Sequence, residues 1–169
     1  MGEHGISHYI DMFAGDLHPG TSHGEQVGIA TISMSKFQNA ILKKDQPPII
    51  YPTNIPEEEI SQKLGEPMLE TIKKSMDPKI FDQKKADTTN EYFSKHWLEF
   101  VEPLREKMLD YDLIWNSMGE CGALRTPEDA KLDSNFYKDA LRYGRFIRDR
   151  YTILDLAGDS NQLDNLINV

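Results

Sequence analysis

Residues 23–42 read HGEQVGIATISMSKFQNAIL, and this stretch decides the fold class. Val27, Ala30, Met34, Phe37 and Ile41 recur at steps of three and four, and Ile29 and Ile32 widen the stripe. That is the period of an α-helix, and no two-residue alternation competes with it. Thr21 and Ser22 stand just ahead as side-chain caps. A helix this apolar predicts burial on most of its sides.

The neighbouring segments read the same way. Upstream, EHGISHYIDMFA (3–14) spaces Ile6, Ile10 and Phe13 for a second helix, and GDLHPG (15–20) is loop chemistry. Downstream, Pro47, Pro48, Pro52 and Pro56 predict an extended connector. Two short helices follow within 56–76, parted by Gly65-Glu66-Pro67, and then a turn at Asp77-Pro78 with a short helix to about residue 87. Asn90 is the expected N-cap of a helix carrying Phe93, Trp97, Phe100, Val101, Leu104 and Met108, kinked by Pro103. Leu113, Ile114 and Met118 mark a further short helix. Thr126-Pro127-Glu128 predicts a helix start, and Ser134 predicts the cap of a helix running to Tyr151, before a polar tail. Only Ile49–Tyr51 suits an extended piece. The expectation is an all-α multi-helix bundle, one domain over 1–169, without repeats.

Composition narrows the function classes. The 169 residues carry 19 Lys+Arg against 28 Asp+Glu, a formal charge of −9, which disfavours a general nucleic-acid binder but leaves room for a local basic pocket. The single cysteine, Cys121, excludes an intramolecular disulfide and a multi-cysteine zinc site. The opening Met1-Gly2-Glu3-His4 has neither the basic nor the apolar region of a signal peptide, and no apolar run reaches bilayer length. A cytoplasmic protein is expected, with no membrane and no nucleic-acid partner.

The histidines hold the chemistry. His4 and His8 lie four apart and share a helix face, and His23 opens the long helix. Neutral imidazoles suit borderline divalent ions, and a carboxylate such as Glu25 could orient one of them. On spacing alone, exposed or core-satisfied histidines are the preferred reading. His18 is expected to be solvated in its loop, and His96 to lie on the surface. Arg148, Arg150 and Tyr151 could bind a phosphate, but RFIRDR (145–150) is read instead as a solvated helix end whose cations favour the helix dipole.

EHGISHYIDM (3–12) followed by HGEQVGIAT (23–31) resembles the second half of the sn-glycerol-1-phosphate dehydrogenases. These belong with the iron-containing alcohol dehydrogenases, glycerol dehydrogenases and dehydroquinate synthases. RDRYTILDLA (148–157) and the Thr126-Pro127-Glu128 segment are similar to the end of the same subfamily. The resemblance implies that the chain is the helical C-terminal domain of such an enzyme. His4 and His23 then match the metal-ligand histidines, and His8 matches a substrate-contacting histidine. The implied metal is zinc, nickel or iron, and the implied substrate is a phosphorylated polyol in the glycerol 1-phosphate/dihydroxyacetone phosphate couple. NAD(P) enters through a nucleotide-binding domain, and homo-oligomers are the rule in the family.

Two departures qualify the resemblance. No G-x-G-x-x-G turn follows a strand here, so the nucleotide-binding half, with the carboxylate that is the third metal ligand, is expected outside this chain, in cis or in trans. By itself the chain is expected to have an incomplete ligand set and no turnover. The loop between His8 and His23 is also longer than in the family, with Asp16–Ser22 as the insertion. It is expected to bulge outward, with His18 or Asp16 as an alternative ligand. The competing reading is a free-standing, non-catalytic helical module for interaction or metal binding derived from the same fold.

Overall fold

The long helix starts where its capping residues place it. Ser22 accepts from the backbone N–H of Glu25, and the Glu25 carboxylate accepts from the backbone N–H of Ser22, a closed capping box. This helix, α2 (His23–Leu42), follows α1 (Gly2–Phe13) and a 3-10 turn over Gly15–Leu17. The computed structural model describes residues 1–168. It continues with α3 (Glu57–Leu64), α4 (Glu66–Met76), α5 (Gln83–Arg105), α6 (Tyr111–Glu120), α7 (Ser134–Tyr143), α8 (Ile153–Asp159) and α9 (Leu163–Ile167). The architecture is all-helical, with no strand among the described residues. No described helix is long and apolar enough to cross a membrane.

The α1–α2 pair forms the centre. α1 packs along α2 and against α7 and the 3-10 turn Gly144–Phe146, while α2 also meets α5, α6 and α8. Ile29, Ala30, Ile32, Met34, Phe37 and Ile41 of α2 are buried, as its stripe predicts, alongside Ile6, Tyr9 and Ile10 of α1. Each large side chain removed from water contributes about 1.5–3 kcal/mol, which offsets the cost of ordering these short helices. At Gly5 the backbones of α1 and the Gly144 turn touch. A Cβ there would lie 2.6 Å from the Gly144 carbonyl oxygen, so only glycine fits.

Several local expectations give way to tertiary contacts. Asn90 is no cap: α5 begins earlier, capped by Asp82, which accepts from Lys85 N–H. Asn90 instead bonds both the N–H and the C=O of Ile50, satisfying the backbone of the proline-rich connector that has no strand partner. Thr126-Pro127-Glu128 begins a turn. Asp129 accepts from Arg125 and Thr126, and Lys131 at φ 57° stops any helix from propagating. Asp133 rather than Ser134 caps α7. α7 stops at Tyr143, and the polar tail folds into α8 and α9.

The early end of α7 has an electrostatic cause. Arg145 is buried at 6 % exposure and pairs with Asp159 at 2.5 Å, while Lys79 pairs with Asp155 at 2.8 Å. Arg145 Nε lies 3.5 Å from the same Asp155. Asp155 also accepts from Thr152 in a second capping box, and Tyr151 donates to Asp159. Two cations and two carboxylates thus neutralise one another out of water. RFIRDR is therefore only partly a solvated segment: Arg148, Asp149 and Arg150 are exposed, but Arg145 and Phe146 are core residues and α7 has already ended.

Candidate functional site

The polar face of α1 carries His4, Ser7, His8 and Asp11 at steps of three, one and three, opposite the apolar Ile6–Ile10 stripe. α2 starts beside this face, so its first turn brings His23 and Gln26 onto it. His4 Nδ1 lies 3.2 Å from His23 Nε2. The His8 ring centroid is 5.5 Å from that of His23. The three histidines singled out from the sequence therefore form one cluster.

The cluster has polar support. Ser7 Oγ is 2.8 Å from His23 Nδ1 and 2.5 Å from Gln26 Oε1, and Ser7 and Gln26 are both buried. Gln26 Nε2 reaches Asp11 Oδ1 at 2.9 Å. Partial burial pushes the Asp11 carboxyl up, but hydrogen bonds from Gln26 and His18 outweigh it and leave the group below the usual carboxylate range. His18 turns inward: its Nε2 is 3.3 Å from Asp11 Oδ1, and its Nδ1 accepts from Gly20 N–H at 3.1 Å. The loop over residues 16–22 thus does not simply bulge, and His18 is not a solvated bystander. Asp16 is exposed. Glu25 is engaged in the α2 capping box rather than orienting a histidine.

His8 meets a residue that local pattern left out. Arg148 Nη2 lies 2.7 Å from His8 Nε2. A guanidinium can only donate, so Nε2 accepts and the His8 proton sits on Nδ1. Burial and the adjacent cation both hold this imidazole below its ordinary range. His8 and Arg148 border a cleft of about 220 Å³ between α1, α4 and the 146–148 segment, walled by Met68, Ile72 and Phe146. Among the described residues Arg148 bonds the His8 ring and no carboxylate. His96 stands apart on α5, exposed beside Glu99.

The His4–His23 pair brings two ring nitrogens close together. Two nitrogens each about 2.0–2.1 Å from a tetrahedral ion are roughly 3.3 Å apart. The 3.2 Å between His4 Nδ1 and His23 Nε2 is that of an N–H···N hydrogen bond between the rings, and it also matches the separation of two ligand nitrogens. Among the described residues no group of three or more His, Cys, Asp or Glu side chains is arranged to hold a metal ion. The pair is a partial set.

Ser7, Asp11, Gln26 and Arg148 are absent from the sequence-based site. The first three carried a usable signal, since each falls three or four positions from a histidine on the same helix. Arg148 stood out only as a possible phosphate binder that was set aside, and its pairing with His8 carried no signal, because 140 residues separate the two. In comparisons with known proteins, no family model, curated protein or solved structure matches the chain.

Proposed function

We propose that the chain is the metal- and substrate-binding part of an NAD(P)-dependent oxidoreductase that interconverts glycerol 1-phosphate and dihydroxyacetone phosphate. The observation that carries this reading is the facing of His4 Nδ1 and His23 Nε2 across 3.2 Å beside the cleft of His8 and Arg148. In this reading His4 and His23 hold a divalent cation, zinc or alternatively nickel or iron. When bound, the cation supplies Lewis acidity to a carbinol oxygen and the nicotinamide supplies the hydride chemistry. His8 orients the polyol through its Nδ1–H, and Arg148 takes the phosphate. The remaining metal ligand and the nucleotide site come from a nucleotide-binding domain, in the same polypeptide or a partner.

Zinc titration of the chain tests the ligand pair. Binding that weakens in both His4→Ala and His23→Ala supports it, and unchanged affinity in both variants removes it. Reconstitution with a nucleotide-binding domain then tests the reaction: metal-dependent oxidation of glycerol 1-phosphate is expected. A folded complex without that activity favours the second reading, a free-standing helical metal-binding or interaction module, which draws its support from the incomplete ligand set.

A further inference from the structure

We propose that Ser7, Gln26, Asp11 and His18 form a directed hydrogen-bond chain that sets the tautomer of His23. The chain keeps the His23 proton on Nδ1 and leaves the Nε2 lone pair facing His4. The proposal rests on the reading of His23 as a ligand for its purpose, but not for its geometry.

The direction of each bond follows from donor and acceptor chemistry. The Gln26 amide has one nitrogen and one oxygen, and the atom 2.9 Å from Asp11 Oδ1 must be the donor, because a carboxylate only accepts. Gln26 Oε1 therefore faces Ser7 and can only accept. Ser7 spends its single proton on that oxygen at 2.5 Å. Having no second proton, Ser7 Oγ must accept from His23 Nδ1 at 2.8 Å. A neutral His23 is then protonated on Nδ1, with Nε2 free to accept or to ligate. Asp11 Oδ2 lies 3.9 Å from the same Nδ1 and favours its proton.

The loop closes the far end of the chain. Gly20 N–H can only donate, so His18 Nδ1 holds a lone pair and His18 Nε2 carries the proton, which points to Asp11 Oδ1. His18 Nε2 and Gln26 Nε2 are 3.1 Å apart because both donate to the same oxygen. The segment that lengthens the α1–α2 connection thus helps pin Asp11, and Asp11 fixes which way Gln26 faces. Metal-binding histidines commonly donate their second ring N–H to such a partner, and loss of the partner lowers metal affinity by roughly 10–100-fold.

Imidazole nitrogen NMR of the metal-free chain, at a pH where the rings are neutral, tests the proposal. The expected result is a His23 proton bonded to Nδ1. Asp11→Ala frees the Gln26 amide to turn its nitrogen toward Ser7. Ser7 then donates to His23, and the proton is expected to move to Nε2. Ser7→Ala removes the acceptor without adding bulk and is expected to mix the two tautomers. A His23 proton on Nε2 in the unaltered chain, or an unchanged tautomer in both folded variants, overturns the chain. Zinc titration of the same samples separates the two claims. A tenfold or greater loss of affinity in Asp11→Ala supports the purpose of the chain. If the unaltered chain has the expected tautomer but binds no zinc, the chain stands and the metal reading falls.

Discussion

Arg148 donates to His8 across 2.7 Å and so joins the C-terminal segment to the first helix at the edge of the histidine cluster. The contact makes a surface arginine one wall of a cleft, and among the described residues no carboxylate pairs with it. An anion entering the cleft meets one oriented guanidinium and an apolar wall.

Arg148→Ala is accordingly expected to weaken binding of glycerol 1-phosphate and of inorganic phosphate by roughly 10–100-fold, the worth of a charge-assisted hydrogen bond of about 1.5–3 kcal/mol. Glycerol, without the anion, should bind equally to both proteins. Calorimetric titration reads all three ligands. Equal phosphate binding by the variant would remove Arg148 from recognition.

The buried ion cluster gives a stability prediction. Asp155→Ala leaves Lys79 and Arg145 facing each other in the core with only Asp159 to compensate them. A loss of about 3–5 kcal/mol is expected from urea denaturation. Asp149→Ala, at an exposed position, should stay within about 0.5 kcal/mol of the unaltered chain. Similar midpoints for the two variants would contradict the role given to the cluster.

Ser22→Ala tests the start of α2. It removes the side-chain acceptor for Glu25 N–H and one half of the capping box, at a cost of about 0.5–2 kcal/mol. Because His23 is the next residue, fraying there should also disturb the His4–His23 approach. NMR signals of both rings should shift together, with little change at His96.

Alkaline pH should unfold the protein through its tyrosines. Burial pushes the phenols of Tyr9, Tyr137 and Tyr143 well above their ordinary value of about 10, and the Tyr151 phenol rises too, its ring partly exposed but its hydroxyl shielded from water. The neighbouring carboxylates Glu59 and Asp159 add to the effect at Tyr143 and Tyr151 respectively. The folded values exceed the unfolded ones, so the stabilisation is complete below about pH 10 and is lost as pH rises toward the folded values. Tyrosinate absorbance should therefore rise in step with the loss of helical circular dichroism. Full ionisation of these phenols in a still-helical protein would contradict the prediction.

Local pattern was enough for α1 and α2, because their period, loop residues and cap all lie within a few positions of one another. It also brought out His4, His8 and His23, since α1 and α2 are neighbours in sequence and one short loop decides how they meet. It failed wherever a distant partner outweighed a local preference. Asn90 has the chemistry of a cap, but the unpaired backbone of Ile50 claims it. RFIRDR has the composition of a solvated helix end, but Asp155 and Asp159 draw Arg145 inward and end α7 early. Thr126-Pro127-Glu128 has start signals, but Lys131 adopts a left-handed conformation and no helix follows. In the candidate site, Ser7, Asp11 and Gln26 were within reach of helical periodicity, and Arg148 was not.

The contact at Gly5 has a consequence beyond close packing. Gly5 lies between His4 and the core residue Ile6, and the backbone it touches leads within a few residues to Arg148. The missing side chain therefore acts as a spacer gauge for the cleft. Whatever occupies position 5 sets how far the arginine-bearing segment stands from the histidine face. A methyl group there would push the two backbones apart and widen the gap from behind, without touching His8 or Arg148. The breadth of the cleft is thus set from a position that does not line it.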